Sequence, residues 1–359
     1  MIGANPMRVL THVCFILIIM IAMSSYIHAS ELVENLLRIT PWYGGRSAAV
    51  SLRFDDNLDS HLDKAIPLMN RFNIKGTFMV SPGRSSFKKR QNNWMKQVPA
   101  IGHEIGNHTM HHRGADNLTE ARYEISEAAK IIRAGKGKPD RLLVFASGGG
   151  KRWGGNRWSS ADEAYLQIPG SLNMIDLYDG NHPYVNVTGN ITTDELIGYV
   201  DTTLKKGLYQ AFTFHNIGTP NFRDLVRRVV RGISLSYPEE DFHQFVKMLS
   251  DRSDSVWIGT IGDILKYQEE YRSARIVKLG YRGDSIQYQL SIGTDPSLYD
   301  HPLTLALQGP DTGNVRILQD GSPVKMQTGG TGVILADLIP KNSLIQIEEA
   351  PGAGPGLAD

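Results

Sequence analysis

The chain has 359 residues, 41% of them hydrophobic, enough for one large domain plus a minor one with a substantial core. Its 38 Lys and Arg balance 37 Asp and Glu, for a formal net charge of +1. That balance exerts no global pull toward nucleic acid or an anionic membrane, and it is compatible with a neutral glycan. Residues 1–29 read as a signal peptide. Arg8 supplies a weak basic region, residues 13–23 are apolar but short for a membrane span, and Ile27-His28-Ala29 can serve as a cleavage site. The expectation is a secreted or periplasmic protein with no stable membrane insertion after cleavage. An uncleaved anchor is the alternative. Cys14, the only cysteine, lies inside this segment, so the mature chain carries no disulfide and rests on packing.

Strand-like and helix-like segments then alternate. Residues 48–54 read as a buried strand ending at Asp55-Asp56. Asn117-Leu118-Thr119-Glu120 has capping-box spacing, Ile125, Ala128, Ala129 and Ile132 follow on one helical face, and Gly135 is the expected stop. Residues 142–145 read as a strand. Thr192-Thr193-Asp194-Glu195 opens another helix, with Leu196, Val200 and Leu204 apolar and Gly207 at its end. Strands over 210–214 and 255–258 complete the series. Repeated β/α units predict a parallel sheet, and alternation alone also allows an open doubly wound one. The pattern changes after Ala274. Ile286, Tyr288, Leu290 and Ile292 alternate with polar residues. Asp320-Gly321 reads as a hairpin turn between 315–318 and 324–326, and 333–335 and 344–347 add strands. Residues 274–349 therefore suggest a small β-sandwich, either packed against the first domain or binding carbohydrate. Tyr281 and Tyr288 are too few for a stacking platform. Residues 350–359 form a Gly/Pro-rich tail, expected to be disordered.

Two segments about fifty residues apart carry the chemistry: Arg53-Phe54-Asp55-Asp56 and His108-Thr109-Met110-His111-His112. One carboxylate and two imidazoles make a three-ligand zinc-type site with a position left open. A second carboxylate can take a proton from water. Metal-assisted hydrolysis is the predicted chemistry, at the carboxyl ends of strands, where β/α barrels build their sites. His108 and His112 share a face if their segment is helical. By chemistry alone His111 is a competing ligand. The bland readings are an Asp-Asp turn or helix cap and solvated histidines.

These motifs resemble the polysaccharide deacetylases of the NodB homology type, carbohydrate esterase family 4. Arg53-Phe54-Asp55-Asp56-Asn57 stands where that family has Thr-Phe-Asp-Asp-Gly. His108-Thr109-Met110-His111-His112 matches its His-Ser/Thr-x-x-His. Residues 74–80, 102–107 and 211–215 resemble its flanking strands, and the likeness covers roughly residues 45–270. The resemblance implies an incomplete or distorted (β/α) barrel over 30–273. It implies a deacetylase or esterase acting on an acetylated polysaccharide or oligosaccharide, with no nucleic-acid partner. It assigns Asp56, His108 and His112 to one divalent metal, expected to be zinc, Asp55 to the general base and His215 to the general acid.

The chain also departs from the family. The third motif normally carries an arginine that buttresses the base. Here the stretch runs Phe145-Ala146-Ser147-Gly148-Gly149-Gly150-Lys151-Arg152-Trp153, leaving Lys151 or Arg152 as substitutes, or no buttress. Asp176 and Asp179 are candidates to orient His215. Asn57 replaces a glycine, a mild change because Asn tolerates φ > 0. Backbone N–H groups of 147–150 are candidate oxyanion donors. Lys151, Arg152, Trp153 and Trp158 form the candidate substrate-binding loop, and Trp94 is a further loop indole able to stack on sugar. Asn107, Asn117, Asn186 and Asn190 begin glycosylation sequons, of which the first is read as chance. A zincin reading of His103-Glu104 fails on spacing. A catalytically silent glycan-binding protein that keeps the metal site is the rival, and retention of Asp55 argues against it.

Overall fold

The computed structural model describes residues 37–136, 142–148, 163–283, 285–309 and 315–350. The expected signal peptide, the candidate loop residues Lys151, Arg152, Trp153 and Trp158, and residues 351–359 of the tail lie outside the described residues.

The chain forms two compact units, one of 41–273 with 293–302, the other of the described residues within 37–40, 274–292 and 303–350. The larger unit is built on a parallel sheet. Its strands are β2 (Ala48–Asp55), β3 (Thr77–Val80), β4 (Glu104–Asn107), β5 (Leu143–Phe145), β6 (Met174–Asp176), β7 (Tyr184–Asn186) and β8 (Tyr209–Phe214), in the order β6-β5-β4-β3-β2-β8-β7. Strand β11 (Val256–Ile258) adds to the first half of β2, also in parallel. Between them run helices α1 (Ile66–Arg71), α2 (Ser85–Lys89), α3 (Val98–Ala100), α4 (Leu118–Lys136), α5 (Glu163–Ser171), α6 (Thr193–Lys206), α7 (Phe222–Arg231), α8 (Glu239–Asp251) and α9 (Ile261–Ser273). Strands β9 (Asn216–Ile217) and β10 (Ser236–Tyr237) make a separate parallel pair. Each β/α unit returns the chain in the same direction, and among the described residues β6 and β7 stay as edges, so the barrel is incomplete, as the resemblance implied.

All eight residues of β2 are buried, and their alternation sorts the two faces of the sheet. Val50, Leu52 and Phe54 join Phe78, Val80, Ile105, Phe145 and Phe212 in the core under the helices. Ala49 joins Met79, Val144, Ala146 and Ala211 in a second cluster on the other side. Period-two geometry puts Ser51, Arg53 and Asp55 on that second face with Ala49, where the small alanines leave room.

Local signals predicted several elements well. Thr192 and Glu195 form a reciprocal capping box at the start of α6, and Gly207 ends that helix. Asn117 Oδ1 accepts from the Glu120 amide at 2.9 Å, before α4. Gly135 does not stop that helix, which continues through Lys136. The glycine serves packing instead, since a Cβ there would stand 2.1 Å from Met95 Cε. Trp94 is not a loop indole. It is fully buried, with its ring 5.8 Å from that of Phe78.

The smaller unit is antiparallel. One sheet runs β1-β14-β18-β17, from β1 (Leu37–Ile39), β14 (Leu303–Gln308), β17 (Met326–Thr328) and β18 (Val333–Leu338). The other runs β12-β13-β19-β15-β16, from β12 (Arg275–Arg282), β13 (Ser285–Ser291), β15 (Val315–Gln319), β16 (Ser322–Pro323) and β19 (Ser343–Glu349). Asp320 (φ 50°) and Gly321 (φ 77°) join β15 to β16, the double positive φ that a two-residue hairpin favours. The returning strand is Ser322–Pro323, earlier than the expected 324–326, and Met326–Thr328 pairs in the other sheet. Tyr288 is buried while Tyr281 is exposed.

Candidate metal centre and active site

The motif residues meet at the carboxyl ends of β2, β4 and β8, with β3 between the first two. Asp55 closes β2, His108 follows β4, and His215 follows β8. Asp56 leaves β2 with φ 82° and Asn57 follows at φ 45°. Asn57 Oδ1 accepts the Ser81 amide at 2.9 Å, which ties this turn to the end of β3.

His108 and His112 are not on a helix. The segment after β4 is a loop in which Thr109 (φ 64°) and His112 (φ 60°) take left-handed conformations. Neighbours impose that path. Asn107 Oδ1 accepts the Thr109 amide at 2.9 Å, Thr109 Oγ1 accepts the His112 amide at 3.2 Å, and the Met110 amide donates to the Glu124 carbonyl at 2.8 Å. Four of the seven described non-glycine residues with positive φ, namely Asp56, Asn57, Thr109 and His112, lie in these two turns. Such strain persists where surrounding contacts over-determine it, and it collects at functional sites.

The turns bring Asp56 Oδ1 to 2.7 Å from His112 Nε2 and 3.6 Å from His108 Nε2. The three ligand atoms lie within 4.8 Å of one another. Ligands about 2.1 Å from a tetrahedral zinc stand about 3.4 Å apart, so the set fits one divalent ion. His108 Nδ1 lies 2.9 Å from the Ala146 carbonyl; when it donates there, Nε2 keeps its lone pair for a ligand bond. His111 is turned away, with Nδ1 at 2.6 Å from Glu124 Oε1, so geometry selects His112 over it. The backbone of Gly148 closes in from β5. A Cβ there would lie 2.5 Å from the His108 oxygen and 2.8 Å from His112 Cδ2.

Asp55 is held separately. Arg53, two residues earlier on the same face of β2, donates Nε to Asp55 Oδ1 and Nη2 to Oδ2, both at 2.7 Å. The same Nη2 lies 2.8 Å from the Tyr178 hydroxyl, which follows β6. The guanidinium carbon is 5.1 Å from the centre of that ring. Burial works against the charge of Asp55, but Arg53, His108 and His215 outweigh it and hold the carboxyl below its usual range. Burial also opposes the charge of Asp56, and hydrogen bonds from His108 and His112 overcome it. His108 is raised despite its burial, by Asp55 and Asp56. His215 is lowered by burial, with both carboxylates pulling the other way.

His215 is positioned through its backbone. Its carbonyl accepts from His61 Nε2 at 2.5 Å, and its own Nδ1 has no hydrogen-bond partner among the described residues. Asp176 and Asp179 do not supply one. Asp176 accepts the Tyr178 amide and Asp179 accepts the Asn181 amide. The remaining motif candidates are structural. His103 Nδ1 accepts the Gly76 amide, and Glu104 accepts from Thr77 and from the Gly262 amide. Asn107 is fully buried, as expected for a sequon that is not used.

Sequence reasoning missed Arg53, Tyr178 and Arg84. Arg53 occupies the threonine position of the first motif, and strand alternation alone places it beside Asp55. Arg84, in the turn after β3, lies 3.4 Å from Asp56 Oδ1. Tyr178 carried no local signal.

Residues 44–164 match the profile of a family described as polysaccharide deacetylase. Among curated proteins, the chain is 22% identical over 331 residues to a gellan lyase of a Bacillus species, covering 85% of this chain and 13% of that protein. It is 30% identical over 105 residues to a peptidoglycan-N-acetylglucosamine deacetylase of Bacillus cereus, covering 28% of this chain and 46% of that protein. The chain thus spans less than half the length of either relative. Among solved structures, a CE4 family pseudoenzyme from Bacillus anthracis aligns with TM-score 0.39 at 15% identity, over 61% of this chain and 65% of the other. A family 4 acetyl xylan esterase from Clostridium thermocellum, in complex with a cobalt ion, aligns with TM-score 0.39 at 17% identity, over 61% and 91%.

Proposed function

We propose, for a chain whose residues 44–164 match the profile of the polysaccharide deacetylase family, that it is a member of that family and an exported, metal-dependent hydrolase removing acetyl groups from a polysaccharide or oligosaccharide. The observation that carries the reading is the division of labour between adjacent carboxylates. Asp56 faces two imidazoles, at 2.7 Å from His112 Nε2 and 3.6 Å from His108 Nε2, while both oxygens of Asp55 are taken by Arg53, with Oδ2 3.9 Å from His108 Nε2.

Asp56, His108 and His112 would hold the ion, and an imidazole-rich set with one carboxylate favours zinc. When bound, the ion supplies Lewis-acid polarisation of the acetyl carbonyl and makes a water easier to deprotonate. Asp55 takes the proton of the attacking water. The bidentate Arg53 contact fixes the carboxylate in one orientation and keeps it ionised, as a base requires. Arg53 thereby fills the place of the missing third-motif arginine from within the first motif. His215 protonates the departing amine or alkoxide. Overall, water adds across the acyl C–N or C–O bond, giving acetate and a free amine or hydroxyl. The backbone beside Gly148 lies close enough to the ligands to help bind the oxyanion.

Acetate release tests the reading. The full chain is assayed with and without added zinc on peptidoglycan, chitooligosaccharides and acetylated plant and bacterial polysaccharides, with gellan included because of the first relative's name. Zinc-dependent acetate from at least one glycan is the expected result. A zinc-loaded protein that releases none from any of them but binds one of them is the silent glycan-binding protein.

A further inference from the structure

Helix α7 is built inside out. Its only acidic residue, Asp224, is 3% exposed, and its carboxylate accepts from Ser234 Oγ and the Leu235 amide, both at 2.6 Å, and from the Ser236 amide at 3.1 Å. Asn221 caps the helix through the Asp224 amide. The polar side is therefore the anchored side. At about 100° per residue, Phe222, Leu225, Val226, Val229 and Val230 fall on an arc of about 140° opposite Asp224. That arc faces outward: Phe222 is 79% exposed, Val229 87% and Val230 72%. Ile233, just past the helix, extends it. A soluble helix normally buries such a stripe, and an exposed contiguous one marks an interaction surface.

The charges on α7 identify its partner. Arg227 and Arg228 flank the apolar arc, Arg231 lies on the Asp224 side at the end of the helix, and the sequence adds Arg223. Arg227 is 3.3 Å from the inward Asp224, while Arg228 and Arg231 are exposed. Two copies meeting across this face would set arginine against arginine around a shared apolar centre, which like charges oppose. A glycan chain would find one ring, Phe222, and otherwise only leucine and valines, which offer no flat face for a sugar. An anionic lipid surface satisfies both halves. The apolar arc enters the acyl boundary, and the guanidinium groups bind lipid phosphates.

We propose that α7 is a peripheral docking helix for anionic phospholipid. It lies in the plane of the interface and does not span the bilayer. Because α7 begins seven residues after His215, docking holds the strand ends that carry the candidate site beside the lipid surface. The proposal does not depend on which reaction that site performs.

The test uses the full chain with Cys14→Ser and Val229→Cys, labelled with an environment-sensitive fluorophore. Vesicles are equal parts phosphatidylglycerol and phosphatidylcholine, or phosphatidylcholine alone. The expected result is a blue shift and a severalfold intensity gain on the anionic vesicles only, quenched by spin labels on the lipid chains. The same label at Lys205→Cys, an exposed position on α6, stays unchanged. Reversing Arg228 and Arg231 to glutamate weakens the response at least about tenfold. The label reports on this helix whatever residues 1–29 do. The proposal is overturned by an unchanged signal on anionic vesicles, or by an equal response on neutral ones. It is also overturned by a response that grows with protein concentration without vesicles, which means a second copy. A label already shielded in dilute protein means that the chain covers the helix itself.

Discussion

At the scale of single residues, the grip of Arg53 on Asp55 has measurable consequences. Both are buried, at 1% and 4% exposure, so removing one leaves an uncompensated charge. Arg53→Met is expected to cost about 3–5 kcal/mol of stability, read from urea unfolding. Adding Asp55→Asn should recover much of that loss, because no lone carboxylate then remains. A double variant no more stable than Arg53→Met would show that the pair is not the source of the loss. Gly148→Ala places a methyl 2.5 Å from the His108 oxygen and 2.8 Å from His112 Cδ2. It should reduce bound metal well below one equivalent while the fold persists, checked by metal analysis beside circular dichroism. The meeting of Asp56, His108 and His112 was legible in the sequence because a carboxylate and two histidines in that pattern suit one metal ion. Arg53 was hidden because an i, i+2 contact on a strand leaves no spacing that differs from ordinary alternation. Tyr178 lies 125 residues from Arg53, a partner that only the folded sheet supplies.

At the scale of elements, local chemistry and tertiary constraint separate cleanly. The capping box at Thr192 and the turn at Asp320-Gly321 involve neighbours in sequence, and both stand as expected. The His108–His112 segment has helical spacing yet forms a loop, because Asn107, Thr109 and Glu124 direct its amides elsewhere. Gly135 reads as a stop but lies against Met95, which is remote in sequence. The turn around His61 carries a pH dependence. Burial lowers the His61 pKa from 6.5 to about 4, against the pull of its bond to the His215 carbonyl. The unfolded chain therefore binds more protons than the folded one between those values, and stability rises with pH through the window. It is fully present above pH 6.5 and is lost as pH falls toward 4. Wild-type protein should lose roughly 2–3 kcal/mol from this group between about pH 7 and about pH 4.5. His61→Gln keeps a donor for the carbonyl and should flatten that slope in urea midpoints. An unchanged slope would place the acid sensitivity elsewhere.

At the scale of the molecule, the parallel sheet converts scattered motifs into one site. Each strand that matters ends on the same side, so residues 160 apart in sequence, Asp55 and His215, come under one electrostatic influence. The incomplete barrel was legible from alternation joined to the motif resemblance. The strand order, and the addition of Leu37–Ile39 to the antiparallel unit, were not, because long-range pairing has no local sequence signature. The proposed division of roles gives Asp55 the chemistry and Asp56, His108 and His112 the metal. The most direct measurement is zinc content beside acetate release for Asp55→Asn, on a glycan the wild type accepts. One bound zinc, an intact fold and acetate release lowered by about 10²–10⁴-fold are expected. Wild-type turnover by Asp55→Asn, or loss of its zinc, would contradict that division.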